Sequence, residues 1–490
     1  MSTSSIRLTN DLSYLPAALA FLRQISEKCG FDNHSQIQIE LALEEVITLV
    51  MKNAFPNGEH SEFEIQITDD GSGISVAILD QGLPWDLRLE SNFQPDADLE
   101  HQTGEGLSSF LIEKLTDRFE FINRGRDGKE TRFVKFLRTG LVGDGEPTEP
   151  ESPSSDAKSD QPDLDFDIRL ARPEESLDIA RTVYDCYGYS YAGDYVYYPE
   201  RITAMNQNGS LRSAVAVVKD TGEVGGHFAL IFRDNLPPEI GVAVTKQKFR
   251  GYGFARGLGE FLDGEASKLQ HKGLQVKEVT SHPYTQKFCA KLGYVDTGFL
   301  LLHSPKSLSF KGIKDELVQR NSDVLGFKYL EQAAPRAPYL PKKHEKILRE
   351  IYSRLEVPLQ ESGKPEAPQG ETLLEVRVDS IRALSEIQVT RFGEDFSDAL
   401  KKELRRVRHE EIQVVELYLS LNNPASAACM EQAEALGFFF TAMLPEALGG
   451  DALVMQYLNG VQVEYDDLVI DRDETRELLD YIASLDPNNN

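Results

Sequence analysis

Residues 240–269 gather the side chains and spacings that hold a pyrophosphate. Residues 240–244 (IGVAV) are apolar and β-branched, which predicts a strand, and residues 254–269 carry the 3.6-residue periodicity of an amphipathic helix. Between them lies a basic loop bearing Gly251 and Gly253. Glycines let a backbone approach an anion, the first-turn amides of a helix point at it, and the helix dipole favours its charge. Arg250 adds a cation, with Lys246 and Lys248 as outer support. Groups able to move a proton stand nearby in sequence: Glu239 before the strand, His282 and Tyr284 ahead of a later helix, and Cys289 within it. Each has a plainer role, Glu239 as a strand-end acid and Cys289 as a buried structural thiol. The tyrosines of residues 184–198 either line an acceptor cleft or pack between the first helices of this block.

Arg250-Gly251-Tyr252-Gly253-Phe254-Ala255 resembles the pyrophosphate loop of the GNAT acetyltransferases. About 40 residues later, Ser281 to Tyr294 (SHPYTQKFCAKLGY) resembles the strand, helix and Leu-Gly-aromatic ending of that family. The resemblance implies a GNAT acetyltransferase domain over 164–310, with acetyl-CoA as acyl donor and an amine of a protein or small molecule as acceptor. It places Val242, Val244, Gln247 and residues 250–255 on the CoA. In this family the amine attacks the thioester directly, so the protein supplies a base and an acid. Glu239 stands at a base position, and Cys289 replaces the tyrosine that often serves as the acid, with Tyr284 as an alternative.

Two helices, 14–29 and 33–55, open the chain, the second with Ile37, Leu41, Ala42, Val46, Leu49 and Val50 at helical spacing. Strand-like runs follow at 62–68, 74–79, 119–124 and 131–137, with a helix at 107–115, an α+β plan. Residues 41–55 (LALEEVITLVMKNAF) resemble the N-box helix of GHKL-type ATPases in the form found in anti-sigma-factor serine kinases. Asp80-Gln-Gly82-Leu-Pro84-Trp85-Asp86 resembles the box whose aspartate holds the adenine amine. Gly104-Glu-Gly106 resembles the glycine lid, and Asp127-Gly-Lys-Glu-Thr131 the last box. The resemblance implies a GHKL-type α/β sandwich over 1–140 and assigns ATP to Glu45, Asn53, Asp80, Gly82, Gly104, Gly106 and Thr131. One departure bears on catalysis: aligned on Glu45, the asparagine that holds Mg²⁺ falls at Leu49. Leucine has no oxygen for a hard cation, and Asn53 sits one turn further along the helix. Without the metal, phosphoryl transfer loses its charge neutralisation.

Residues 320–490 repeat part of the middle block. Leu421-Asn-Asn-Pro424 through Leu436-Gly437-Phe438 parallels Ser281 through Tyr294, although Leu-Gly-Phe alone is also a common helix ending. Residues 387–396 match the strand-to-helix position of the phosphate loop, yet Glu394 and Asp395 stand where cations are needed. Two carboxylates at a helix start favour capping and repel a pyrophosphate. The expectation is a second, degenerate GNAT-like domain.

Between the first two blocks, residues 141–163 are rich in Pro, Ser and acids and read as a disordered acidic linker. The formal charge of −28 argues against a nucleic-acid partner. No apolar run is long enough for a membrane span, and Cys29, Cys186, Cys289 and Cys429 show no metal-binding spacing. Together these point to a cytoplasmic, multidomain α+β protein with no structural metal. Its expected activity is acyl-CoA-dependent N-acetyl transfer tuned by the N-terminal domain. The alternative is a partner-switch regulator that binds ATP or CoA and a sigma factor or its antagonist, with a serine kinase ranked after both.

Overall fold

Period-two alternation builds the first sheet. In β2 (Glu62–Asp69), Phe63, Ile65 and Ile67 turn inward while their neighbours face outward. This strand lies between β1 (Ser2–Thr9) and β3 (Gly73–Asp80), and the order β1-β2-β3-β5-β4 is antiparallel throughout. Helices α1 (Leu15–Lys28) and α2 (Asn33–Ala54) precede β2, and α3 (Leu107–Leu115) precedes β4 (Arg118–Asn123) and β5 (Lys129–Phe136). Asp32 caps α2 by accepting a 2.7 Å hydrogen bond from Ser35 N. The buried face of α2 runs through Ile39, Ala42, Leu43, Val46 and Val50. Ile37, expected in that core, is 57% exposed. It lies five residues before Ala42, roughly 140° around a helix of 3.6 residues per turn.

The computed structural model describes residues 2–55, 60–69, 71, 73–85, 107–137, 164–306 and 319–489. The linker at 141–163, Asp86, Gly104 and Gly106 lie outside these residues. The chain forms two compact units. One holds Met1–Leu164 with Ser176–Asp185 and Asp194–Pro199; the other holds Asp165–Glu175, Cys186–Gly193 and Glu200–Asn490.

The elements from β6 (Phe166–Leu170) onward are α4 (Ser176–Tyr187), α5 (Pro199–Asn208), β7 (Leu211–Val218), β8 (Val224–Ile231) and β9 (Glu239–Thr245). Then come α6 (Phe254–Lys268), β10 (Gly273–Val279), α7 (Tyr284–Lys291), β11 (Val295–Ser304) and β12 (Asn321–Tyr329). After α8 (Glu345–Arg354) follow β13 (Leu373–Asp379), β14 (Leu384–Arg391), α9 (Phe396–His409) and β15 (Val414–Ser420). The chain closes with α10 (Ser426–Glu434), β16 (Phe439–Ala447), β17 (Gly450–Leu458) and α11 (Asp473–Ala483).

Twelve of these strands form one sheet, in the order β13-β14-β15-β17-β16-β11-β12-β10-β9-β8-β7-β6. Strands β8–β12 and β13–β17 repeat one connectivity. Each has an antiparallel pair, a helical crossover to a parallel strand, a second helix, and two antiparallel strands. In each copy the last strand inserts beside the parallel one, β12 between β10 and β11, β17 between β15 and β16. The Leu-Gly-aromatic endings coincide too, with Gly293 and Gly437 both at positive φ (86° and 95°). The sheet of the middle block therefore runs past residue 310, because β12 completes it. The copies join where β11 pairs with β16 at Gly298↔Ala442, and one apolar core, including Phe299, Leu301, Leu417, Phe440 and Met455, spans the joint.

Candidate functional site

Between β9 and α6 the backbone forms the expected cradle. A short 3-10 turn, Gln247–Phe249, leads to Arg250, and Gly251 and Gly253 both adopt positive φ (91° and 89°). A Cβ added at either glycine would meet no atom within 4 Å, so the space above the loop is open to a ligand. Gly253 is the N-cap of α6 and has no side chain to bond the helix amides. The first turn thus leaves unpaired donors at the positive end of the dipole. Phe254 and Phe249 stack beneath the loop at 5.4 Å and fix its base. Arg250 is exposed and makes no ion pair with a described carboxylate. Lys246 and Lys248, by contrast, are held by Glu223 at 2.9 and 2.8 Å. The loop's own lysines are thus partly neutralised and Arg250 carries the free charge.

Upstream of the loop, β9 and β10 pair in parallel only at Gln275↔Glu239 and Val276↔Ile240. Beyond those residues the two strands part. A register shift against β8 and a positive φ of 50° at Val242 mark a bulge at the same level. The bulge takes the Val242 N–H out of the ladder; it donates to the Tyr191 hydroxyl at 3.2 Å. A cavity of about 140 Å³ opens at the parting, bordered by Tyr187, Tyr191, Val242, Lys277, Thr285 and Asp323, and also by Glu239, His303 and Arg382. Val244, two residues past the bulge, is buried.

Only one of the four proton-transfer candidates lines this cavity. Glu239 does, but Lys277 lies 2.9 Å and Arg233 4.0 Å from its carboxylate. Burial raises its pKa, yet the two cations overcome that and hold it down at about 2, far from the range of an effective base at neutral pH. Tyr284 is 70% exposed and does not line the cavity. Cys289 lies one turn beyond Thr285 on the same face of α7 and does not line the cavity; it is buried in a cluster with Glu278, Asp296 and Arg472. Burial and those two carboxylates push the thiol well above its ordinary value, which makes it a poor proton donor. Thr285, one turn earlier, is the α7 residue at the cavity. His282 is half-buried, with burial and then Arg250 lowering its pKa.

Sequence patterns alone missed three further cavity residues, Asp323, His303 and Arg382. Asp323 lies on β12, and Asn321 Nδ2 donates to its Oδ1 at 2.9 Å. Burial raises it from 3.8 to about 6, despite the nearby charges of His303, Lys277 and Arg382. His303 Nδ1 is 2.7 Å from Glu416 of β15, whose other oxygen accepts from the Tyr418 hydroxyl at 3.1 Å. Arg382 precedes β14, so the C-terminal copy supplies part of the wall.

The C-terminal copy has no such opening of its own. Strands β14 and β15 stay paired from Leu384↔Val414 to Gln388↔Tyr418, and β14 contains no residue at positive φ. Asp395 is the N-cap of α9, but its carboxylate accepts from Thr372 N at 2.7 Å rather than from a helix amide. The carboxylates foreseen at this helix start are present; the side-chain cap is not.

In the N-terminal unit, Asp80 is buried at the end of β3, opposite Lys129 of β5. Its Oδ1 accepts from Gly82 N at 3.0 Å and pairs with Lys129 Nζ at 2.8 Å, while Oδ2 has no partner among the described residues. Lys129 also donates to Gly82 O at 2.8 Å, and burial lowers its pKa against the pull of Asp80. The residue facing Asp80 is thus Lys129; Thr131 pairs with Ile78, two positions along, its buried hydroxyl without a partner among the described residues. Gly82 is packed against the C-terminal end of α2, where a Cβ would collide with the Ala54 carbonyl. Glu45 and Leu49 stand one turn apart on α2, and Leu49 is 4% exposed. Asn53 turns its amide back to Leu49 O at 3.0 Å. This helix face offers Mg²⁺ an apolar side chain where an oxygen is required, so the metal does not fit here. Asp80 Oδ2 is a buried acceptor without a partner among the described residues, the kind of atom to which a purine amine can donate.

Among the described residues no helix is long and apolar enough to cross a membrane. No curated protein matches the chain. Among solved structures it resembles an N-acetyltransferase from Staphylococcus aureus Mu50 (19% identity, 34% of this chain and 99% of that one, TM-score 0.28). It also resembles the ribosomal-protein-S5-alanine acetyltransferase from Vibrio fischeri (15%, 34% and 93%, TM-score 0.27) and the ribosomal-protein-S18-alanine N-acetyltransferase from Escherichia coli (11%, 34% and 96%, TM-score 0.28). Residues 8–135 match the family described as the histidine kinase-like ATPase domain, which agrees with a GHKL-type unit at the N-terminus.

Proposed function

We propose that the chain is an acyl-CoA-dependent N-acyltransferase, with acetyl-CoA as donor and a protein or small-molecule amine as acceptor. The observation that carries this reading is the continuity of a bulged strand, its parting from β10, and a glycine cradle on a helix N-terminus. These features lie in the order a long thioester ligand would need them. The pyrophosphate rests on the amides after Gly251 and Gly253 beside Arg250, and the acyl end enters the parting at Val242. There the Val242 N–H lies outside the ladder with the Tyr191 hydroxyl as its acceptor, and the thioester oxygen takes that hydroxyl's place when the acyl end enters. Bound CoA supplies the activated acyl group; the protein orients it against the cavity. Calorimetric titration with acetyl-CoA, followed by CoA release in the presence of polyamines and lysine-bearing peptides, tests the reading. Absence of acetyl-CoA binding by the folded chain would overturn it.

The N-terminal unit supports a regulatory role. Asp80 Oδ2 and Thr131 Oγ1 are buried acceptors without a partner among the described residues and suit a nucleotide base, while Leu49 removes the metal on which phosphoryl transfer depends. Nucleotide binding without turnover is the expected behaviour, and a sigma factor or its antagonist is the partner class this unit suggests. Titration with ATP in EDTA and in Mg²⁺ tests it: equal affinities are expected, and Mg²⁺-dependent phosphorylation of a partner would refute it.

A further inference from the structure

The cavity at the parting of β9 and β10 is built from both copies. Strands β9 and β10 supply Glu239 and Lys277, β11 and β12 supply His303 and Asp323, and the segment before β14 supplies Arg382. Two of its three acidic or imidazole side chains are already committed. Glu239 is neutralised by Lys277 and Arg233, and Arg233 in turn is held at 2.7 Å by Glu386 of the C-terminal copy. His303 is held by Glu416 from the same copy. Asp323 alone has no cation within ion-pair distance among the described residues. Among the described residues its carboxylate accepts from Asn321, and that leaves lone pairs on a carboxylate that borders the cavity.

Resting on the acyltransferase reading above, we propose that Asp323 is the proton acceptor for the attacking amine and that the C-terminal copy holds the site in working order. The amine lone pair forms the C–N bond to the thioester carbonyl carbon, and the C–S bond breaks. The proton shed by the nitrogen passes to the Asp323 carboxylate, and the departing CoA thiolate is protonated by solvent to which Asp323 later returns its proton. The degenerate copy contributes without binding CoA. Glu386 orients Arg233 against Glu239, Glu416 fixes His303, and Arg382 closes the wall.

The groups facing Asp323 from each packed element are Glu239, Lys277, His303 and Arg382. Their balance with burial leaves it ionised only above pH about 6. The full chain should therefore show kcat/KM for amine acetylation falling as pH drops through about 6. Asp323→Asn should lower kcat about 10²- to 10⁴-fold, abolish that limb, and leave the acetyl-CoA Kd unchanged. Formate should restore part of the activity of Asp323→Ala, which a merely structural role would not allow. Asp323→Glu should keep measurable activity with a displaced limb, and its acetyl-CoA Kd shows whether the fold survives substitution. Glu239→Gln should retain the limb whatever its effect on rate. An Asp323→Asn enzyme that keeps the acid limb would overturn the assignment while leaving the acyltransferase standing. A wild-type chain that binds acetyl-CoA yet acetylates none of the polyamine or lysine-peptide acceptors would overturn both.

Discussion

The joint between the two copies invites a direct perturbation at Gly298. It has φ 152°, a region open to glycine and costly for other residues, by about 1–3 kcal/mol. A Cβ there would lie closer than 3.0 Å to Ala442 Cα and Thr441 O, both backbone atoms that cannot rotate away. Forcing a side chain into such a packed site costs a further ~1–3 kcal/mol. Gly298→Val should therefore destabilise the larger unit by about 2–6 kcal/mol, a large part of the ~5–15 kcal/mol that holds a typical domain together. Adding Ala442→Gly should recover little, because it removes the Cβ and leaves the Cα and the carbonyl in place. Urea unfolding followed by far-UV circular dichroism measures the shift. The single tryptophan, Trp85, is buried in the other unit, so its fluorescence reports that unit separately. A Gly298→Val chain whose dichroism midpoint matches wild type, or one fully rescued by Ala442→Gly, would refute the close backbone approach at β11/β16.

Other expectations follow from the sites. Arg250→Ala should weaken acetyl-CoA binding about 10-fold by calorimetry, since a charged hydrogen bond is worth ~1.5–3 kcal/mol and an exposed one lies at the low end. Gly253→Glu sets a carboxylate at the cradle; at an effective dielectric of 20 and ~4 Å the repulsion is about 4 kcal/mol, enough to abolish binding in the same titration. Asp323 has a folded pKa above its ordinary 3.8, so its contribution to stability is present below pH 3.8 and lost as pH rises through about 6. Asp323→Asn should therefore be more stable than wild type at pH 8, by about 3 kcal/mol for a shift of about two units, with the advantage vanishing below pH 4 in paired urea melts. In the N-terminal unit, Asp80→Asn should abolish binding of a fluorescent adenine nucleotide, whereas Leu49→Asn should introduce a Mg²⁺ dependence that wild type lacks.

The glycine cradle was legible in the sequence because a strand, a positive-φ loop and a helix start are contiguous in the chain. The N-box helix and the buried Leu49 on it were legible because they lie within one contiguous segment. Asp323 was not, since β12 follows residue 310 in sequence but inserts between β10 and β11, and no local pattern announces that pairing. Cys289 was assigned by its position in a motif, and only the structure shows that Thr285, one turn earlier on the same face of α7, meets the cavity while the thiol does not. Lys129 escaped notice because strand register, not spacing, sets it opposite Asp80.

The fusion of two sheets at β11 and β16 also settles where this protein can and cannot be cut. A sheet edge is a row of unsatisfied amides and carbonyls, and natural edges are blunted by charge. The two edges of the twelve-stranded sheet fit that description: β6 carries Asp167 and Arg169, and β13 carries Glu375, Arg377 and Asp379. Strand β11 does not; Phe299 to Leu302 form an unbroken apolar run that the C-terminal copy covers on that side, with β16 beside it and Gln456 of β17 bonded to both the N–H and the carbonyl of Leu301. A fragment ending near residue 330 would bare this run to water and be expected to self-associate through it, so the second copy acts as a permanent chaperone for the first.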